Sequence, residues 1–106
     1  MHRTLIVARM DPKDADSVAR LFEESDATDL PHRVGVSGRA LFQFQGLYFH
    51  LIEAEGPVDA RLAELRTDPL FTDLNERLKP YIGAYDPATW RSPADAMAQT
   101  FYTWSR

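Results

Sequence analysis

Residues 32–56 read HRVGVSGRALFQFQGLYFHLIEAEG, and the parity of this stretch decides the fold. It divides into two strands joined at Gln45 and Gly46, with glycine where a tight hairpin needs a positive φ. With a two-residue turn there, Phe44 faces Leu47 and Leu41 faces His50, while Arg39 and Gln43 flank His50 diagonally at roughly 7 Å or less. Side chains alternate across a strand, so the two faces of the hairpin differ in chemistry. One carries Arg39, Leu41, Gln43, Tyr48, His50 and Ile52; the other carries Ala40, Phe42, Phe44, Leu47, Phe49 and Leu51. A slip of one residue would exchange them.

Outward from the hairpin, punctuation marks the remaining elements. HRTLIVARM, residues 2–10, is rich in β-branched and apolar residues and stops at Asp11 and Pro12, a cap and a first helical position. Ala15, Val18, Ala19 and Phe22 then recur at the i, i+3, i+4, i+7 spacing of a helix that should run to about Ala27. Beyond the hairpin, Pro57 opens a second helical region. Val58, Leu62 and Leu65 form one stripe, and Leu70, Phe71, Leu74 and Leu78 form another after the break at Asp68 and Pro69. The segment from Gly83 to Asp95 reads as a surface excursion, and TFYTWS, residues 100–105, as a last strand.

The resulting order βαββαβ is an α+β, ferredoxin-like fold: a four-stranded antiparallel sheet with helices on one face. Its other face needs a cover, and a second copy of the chain, making a homodimer, is the simplest. Either the phenylalanine face meets the helices and the His50 face meets solvent or the partner, or the reverse. The face bearing His50 is preferred under the helices, because a few polar groups among apolar walls suit a small-molecule cavity.

Composition narrows the function. The 106 residues fit one domain, 1–106, and 44% hydrophobic content suffices for a core. Twelve basic residues are dispersed from Arg3 to Arg106 against a net charge of −4, which argues against nucleic acid. No apolar run approaches the ~20 residues of a membrane span, and the first residues lack the form of a signal peptide, so a cytoplasmic protein is expected. Without cysteine there is no disulfide, thiolate nucleophile or thiolate metal site. His2, His32 and His50 lack ligand spacing, and neither a phosphate-cradling loop nor a Gly-x-Ser-x-Gly elbow occurs, so no metal and no cofactor are expected.

Taken singly, the polar residues have plain readings. A strand histidine is more often a satisfied core residue than a catalyst, Arg39 an ion-pairing residue, Asp26 part of a helix's last turn, and Tyr48 a packing residue with a wet tip. Together, imidazole, guanidinium and phenol on one face offer a proton acceptor, a permanent cation for an oxyanion, and a hydrogen-bond donor.

The segments RMDP, LPHRVGVSGRALFQFQGLYFHLIEAE, DPLFTDLNERLKPYI and FYTWS, in that order and spacing, closely resemble the tetracenomycin-type aromatic polyketide cyclases of actinomycetes over nearly the whole chain. The resemblance implies a homodimer with a cavity between sheet and helices, and intramolecular aldol cyclisation and dehydration of a multi-ring polyketide. Other polyketide synthase components are conceivable partners. Asp26, Arg39 and His50 fall where that family places polar cavity residues. Ser25 departs from the pattern, since some relatives carry a histidine immediately before that aspartate. On this reading His50 is the general base or acid, Arg39 the clamp on an enolate or carbonyl oxygen, and Asp26 an orienting or proton-transfer helper. Gln43, Tyr48, Leu41, Ile52 and Phe22 shape the pocket. Two rivals stay open: a cofactor-free monooxygenase oxidising a phenolic polyketide to a quinone, and a non-catalytic polyketide-binding protein.

Overall fold

The structure, a computed structural model, describes residues 2–91 and 93–106. Strands β1 (His2–Met10), β2 (Val36–Phe44), β3 (Leu47–Ala54) and β4 (Ile82–Ala84) form one sheet in the order β2-β3-β1-β4, every pairing antiparallel. With helical connections packed on one face, this is the ferredoxin-like α+β arrangement.

The hairpin has the expected register. Phe44 pairs with Leu47, Gln43 with Tyr48, Leu41 with His50 and Arg39 with Ile52. Gln45 and Gly46 sit at φ 48° and 83°, the doubly left-handed turn whose twist matches that of the flanking strands. Nearer its start, β2 has one bulge between Val36 and Gly38, which lets Val36 and Arg39 both serve the face of Ile52 and Ala54. Tyr48, His50, Ile52 and Ala54 are buried, as are Thr4, Ala8 and Met10 on β1, so this face of the sheet lies under the helices. Phe42 and Phe44 on the opposite face are 54% and 60% exposed.

Asp11 accepts a hydrogen bond from the Lys13 N–H, a short turn spans Pro12–Asp14, and α1 (Ala15–Asp26) follows, burying Val18 and Phe22. After α3 (Asp59–Glu64), Asp68 accepts from the Leu70 N–H and opens α4 (Pro69–Leu78), so the break at Asp68 and Pro69 is a helix start. The sequence reading missed α2 (Leu30–Val34), which occupies residues expected to lead straight into a strand. Pro31 sits in its first turn and Gly35, at φ 86°, ends it. Arg33 on α2 bonds Asp29 at 3.0 Å and Asp68 at 2.6 Å, which ties α2 to the head of α4. The Leu70 N–H first, then Arg33, holds the Asp68 carboxyl below its usual range.

The last strand is not where propensity placed it. β4 follows α4 directly, within the region read as a surface excursion, and Ile82–Ala84 pairs with Met10, Arg9 and Ala8. Farther along the same edge of β1, Met97 bridges Ile6 and the Ala98 N–H donates to the Leu5 carbonyl at 2.7 Å. The edge of β1 is therefore occupied before the chain reaches TFYTWS. Residues 100–105 take no regular structure, and Phe101, Tyr102 and Trp104 are exposed.

Two clusters of buried side chains fill the space between sheet and helices. One gathers Ala8, Met10, Val18, Phe22 and Tyr48; the other Leu30, Val34, Ile52, Ala54 and Val58. Ile6 and Leu74 pack against both, and His50, which belongs to neither, stands on the strand between Tyr48 and Ile52.

Candidate active site

Members of both clusters line a cavity of about 630 Å³ between sheet and helices, within the usual range of roughly 300–1,000 Å³ for a small-molecule site. The floor is Ile6, Ala8, Tyr48, His50 and Ile52 from the sheet; α2 adds Leu30 and Val34, and α4 adds Phe71, Leu74 and Leu78. Thr72, Asn75, Glu76 and Lys79 also line it, at the spacing of one helical stripe, and Arg66 and Trp90 come from the loops.

The polar centre is a chain of three side chains. Both oxygens of Asp26 accept from Arg39: Oδ2 from Nε at 3.0 Å and Oδ1 from Nη2 at 2.7 Å. Arg39 Nη1 lies 2.7 Å from Nε2 of His50. A guanidinium can only donate, so Nε2 is the acceptor and the ring proton of neutral His50 resides on Nδ1. Desolvation first, and the nearby Arg39 cation second, push the imidazole down to about 3, so it is uncharged at neutral pH. Phe22 holds the pair from α1: its ring meets His50 edge-on at 5.0 Å between centroids, and the Arg39 guanidinium lies over it at 4.9 Å. Tyr48, two residues before His50 on the same face, approaches the imidazole at 6.1 Å with the rings inclined at 65°. Burial also raises the Tyr48 phenol, which stays protonated.

Of the residues singled out from the sequence, Phe22, Arg39, Tyr48, His50 and Ile52 meet in the cavity. Asp26 and Leu41 do not line it. They lie in an open groove on the outer side of α1, where Phe22 and Arg39 are reached from behind. Asp26 thus touches Arg39 rather than the cavity. Gln43 lines neither space, because β2 is an edge strand whose end, Phe42 to Phe44, is exposed on both faces. Ser25 also lines neither. Among the described residues, no group of three or more histidine, cysteine, aspartate or glutamate side chains could hold a metal ion, and no helix is long and apolar enough to cross a membrane.

A family model described as polyketide synthesis cyclase matches residues 2–105. The chain belongs to that family. It is 45% identical to the tetracenomycin F2 cyclase of Streptomyces glaucescens over 98% of this chain and 94% of that protein. It is 46% identical to the polyketide synthase CurG of Streptomyces cyaneus over 100% and 99%. The solved structure of tetracenomycin F2 cyclase superposes with a TM-score of 0.94 at 44% identity, covering 100% of this chain and 99% of that one. The protein is therefore a polyketide cyclase.

Sequence reasoning missed the polar stripe of α4, Arg66 and Trp90 as lining residues of the cyclase. Thr72, Asn75, Glu76 and Lys79 already show helical spacing beside the apolar stripe of Leu70, Phe71, Leu74 and Leu78, so that signal was available. Nothing local marks Arg66 or Trp90, which reach the cavity through loop geometry.

Proposed function

We propose that this cyclase closes a ring of a multi-ring aromatic polyketide by intramolecular aldol condensation followed by dehydration, with the substrate held between His50 and the apolar walls of Leu74 and Ile52. The observation that carries this reading is the contact of Arg39 with His50 at 2.7 Å inside an apolar cavity, with Asp26 bracing the arginine from outside.

In the reaction, a methylene flanked by carbonyls gives up a proton, its carbon bonds to a carbonyl carbon elsewhere in the chain, and the new alkoxide takes up a proton. The two protons balance. Loss of the resulting hydroxyl with a neighbouring hydrogen then releases one water, and enolisation of the remaining ring carbonyls leaves the aromatic ring. Folding a reactive chain so that one pair of carbons meets supplies much of the rate, and acid–base help at the reacting oxygen supplies more. His50 faces that oxygen. Of Arg39's five N–H groups, three serve Asp26 and His50.

A homodimer belongs to the same proposal. Phe42 and Phe44 form an exposed apolar face, and the arm at 100–105 carries three exposed aromatic side chains; pairing two copies would cover both.

The test is incubation of purified protein with linear and partly cyclised poly-β-ketone intermediates, with and without oxygen. Ring closure with release of water and no uptake of dioxygen is expected. Oxygen consumed in step with product would mean an oxidation, and tight binding without faster closure would mean a carrier.

A further inference from the structure

Two polar groups on the cavity floor have no partner among the described residues. Among the described residues, neither Nδ1 of His50 nor Oη of Tyr48 makes a hydrogen bond, and no side-chain nitrogen or oxygen is sealed in the protein without one. Both residues are nonetheless buried, at 6% and 3% exposure, and both line the cavity. They stand on one strand, two residues apart, on the same face.

Their hydrogen-bonding sense is fixed. Arg39 occupies the His50 Nε2 lone pair, so Nδ1 carries hydrogen and can only donate. The protonated phenol of Tyr48 donates as well. Arg39 cannot rotate away without breaking two bonds to Asp26 and leaving the face of Phe22.

We infer that the Nδ1–H of His50 and the hydroxyl of Tyr48 form a two-donor site for one oxygen of the substrate, the enolate or the aldol alkoxide, and that His50 serves as a neutral donor rather than as a base. The inference rests on the cavity being the reaction site, and it adds Tyr48 as a catalytic residue. The donors are placed before the charge develops, and the surrounding apolar walls strengthen them. Asp26 and Arg39 are then positioning residues: they hold the tautomer and touch no reacting atom through His50's donor edge. The ligand class follows from the chemistry. A planar molecule carrying an acidic enol or phenol at its edge should bind as the anion, because two donors and a nearby guanidinium favour the charged oxygen.

The test uses the intact protein labelled with ¹⁵N in histidine. The His50 ring should give the nitrogen shifts of the Nδ1–H tautomer from about pH 5 to pH 8, and Arg39→Met should let the proton redistribute toward Nε2. An Nε2–H tautomer or an imidazolium in the wild type at pH 6 would overturn the inference. Independently, 1-naphthol is titrated with the protein and its ionised form read by absorbance. Its apparent pKa should be lower when bound to the wild type than in water, and the shift should shrink in Tyr48→Phe; a bound naphthol that ionises no more readily than in water contradicts the site. Where a cyclisation substrate is in hand, Tyr48→Phe should lower kcat by about 100-fold with KM little changed, and an unchanged kcat would also count against it. The nitrogen shifts and the naphthol titration do not require turnover. Failure of the cyclase reading, seen as no ring closure of any poly-β-ketone, is thereby distinguished from failure of the donor site.

Discussion

His50 is a histidine kept neutral by its setting, and this has consequences for stability as well as for chemistry. In the unfolded chain the ring titrates near its ordinary value of 6.5, and in the folded chain near 3. A depressed folded pKa means that its contribution is complete above the unfolded value and is lost as pH falls through that window, because only the unfolded chain then takes up a proton. The group should make the protein about 2–3 kcal/mol less stable at pH 4.5 than at pH 7.5. Urea titrations of the wild type and of His50→Gln at both pH values check this: the variant should lose markedly less stability on acidification. Arg39 is equally specific in its demands. Lysine carries one compact charge and cannot serve a carboxylate bidentately while donating to an imidazole, so Arg39→Lys should lower kcat towards the level of Arg39→Ala. Asp26→Asn, which keeps one acceptor at an exposed position, should lower it less. Steady-state kinetics of the three variants gives the order.

At the scale of elements, the turn at Gln45 and Gly46 sets which residues share the cavity. Both have positive φ, and a non-glycine residue there is disfavoured by about 1–2 kcal/mol. Gln45→Asn, an arrangement that such turns prefer, should raise the melting temperature, and Gly46→Ala should lower it; differential scanning calorimetry of the pair decides. This hairpin was the most legible part of the chain, because period-two alternation and a two-residue turn leave one register that separates His50 from Phe49 and Leu51. The cap at Asp11 was legible because it precedes proline, while the same pairing at Asp68 and Pro69 reads in the sequence only as a break and is a helix start. Other elements could not be read locally. α2 packs five residues between Asp29 and Gly35, too few for a periodic pattern. β4 is three residues long and exists because β1 offers it an edge. TFYTWS has strand propensity, but the edge of β1 is already taken by β4 and by Met97 and Ala98, and propensity alone says nothing about partners. In the site, alternation brought Arg39, Tyr48, His50 and Ile52 together correctly. It also brought in Gln43, because parity identifies a face and does not show how far the helices extend over it. Asp26 came from the family resemblance, and its place behind Arg39 is a tertiary fact.

For the molecule as a whole, the sheet has one face under helices and one bearing exposed phenylalanines, with an aromatic arm beyond Ala98. If two copies cover these surfaces, Phe42→Glu combined with removal of residues 99–106 should convert the protein to monomer, and sedimentation velocity would register the change. A wild type that sediments as a monomer would remove the homodimer from the proposal. The central claim is the proposal that, in the cavity, a braced arginine holds a neutral histidine against the reacting oxygen of the substrate. It is tested most directly by single-turnover rate and product identity for His50→Ala, with its fold confirmed by circular dichroism, on a poly-β-ketone that the wild type cyclises. The prediction is a loss of about 100- to 1,000-fold in the rate of ring closure; closure at the wild-type rate to the same product would contradict it.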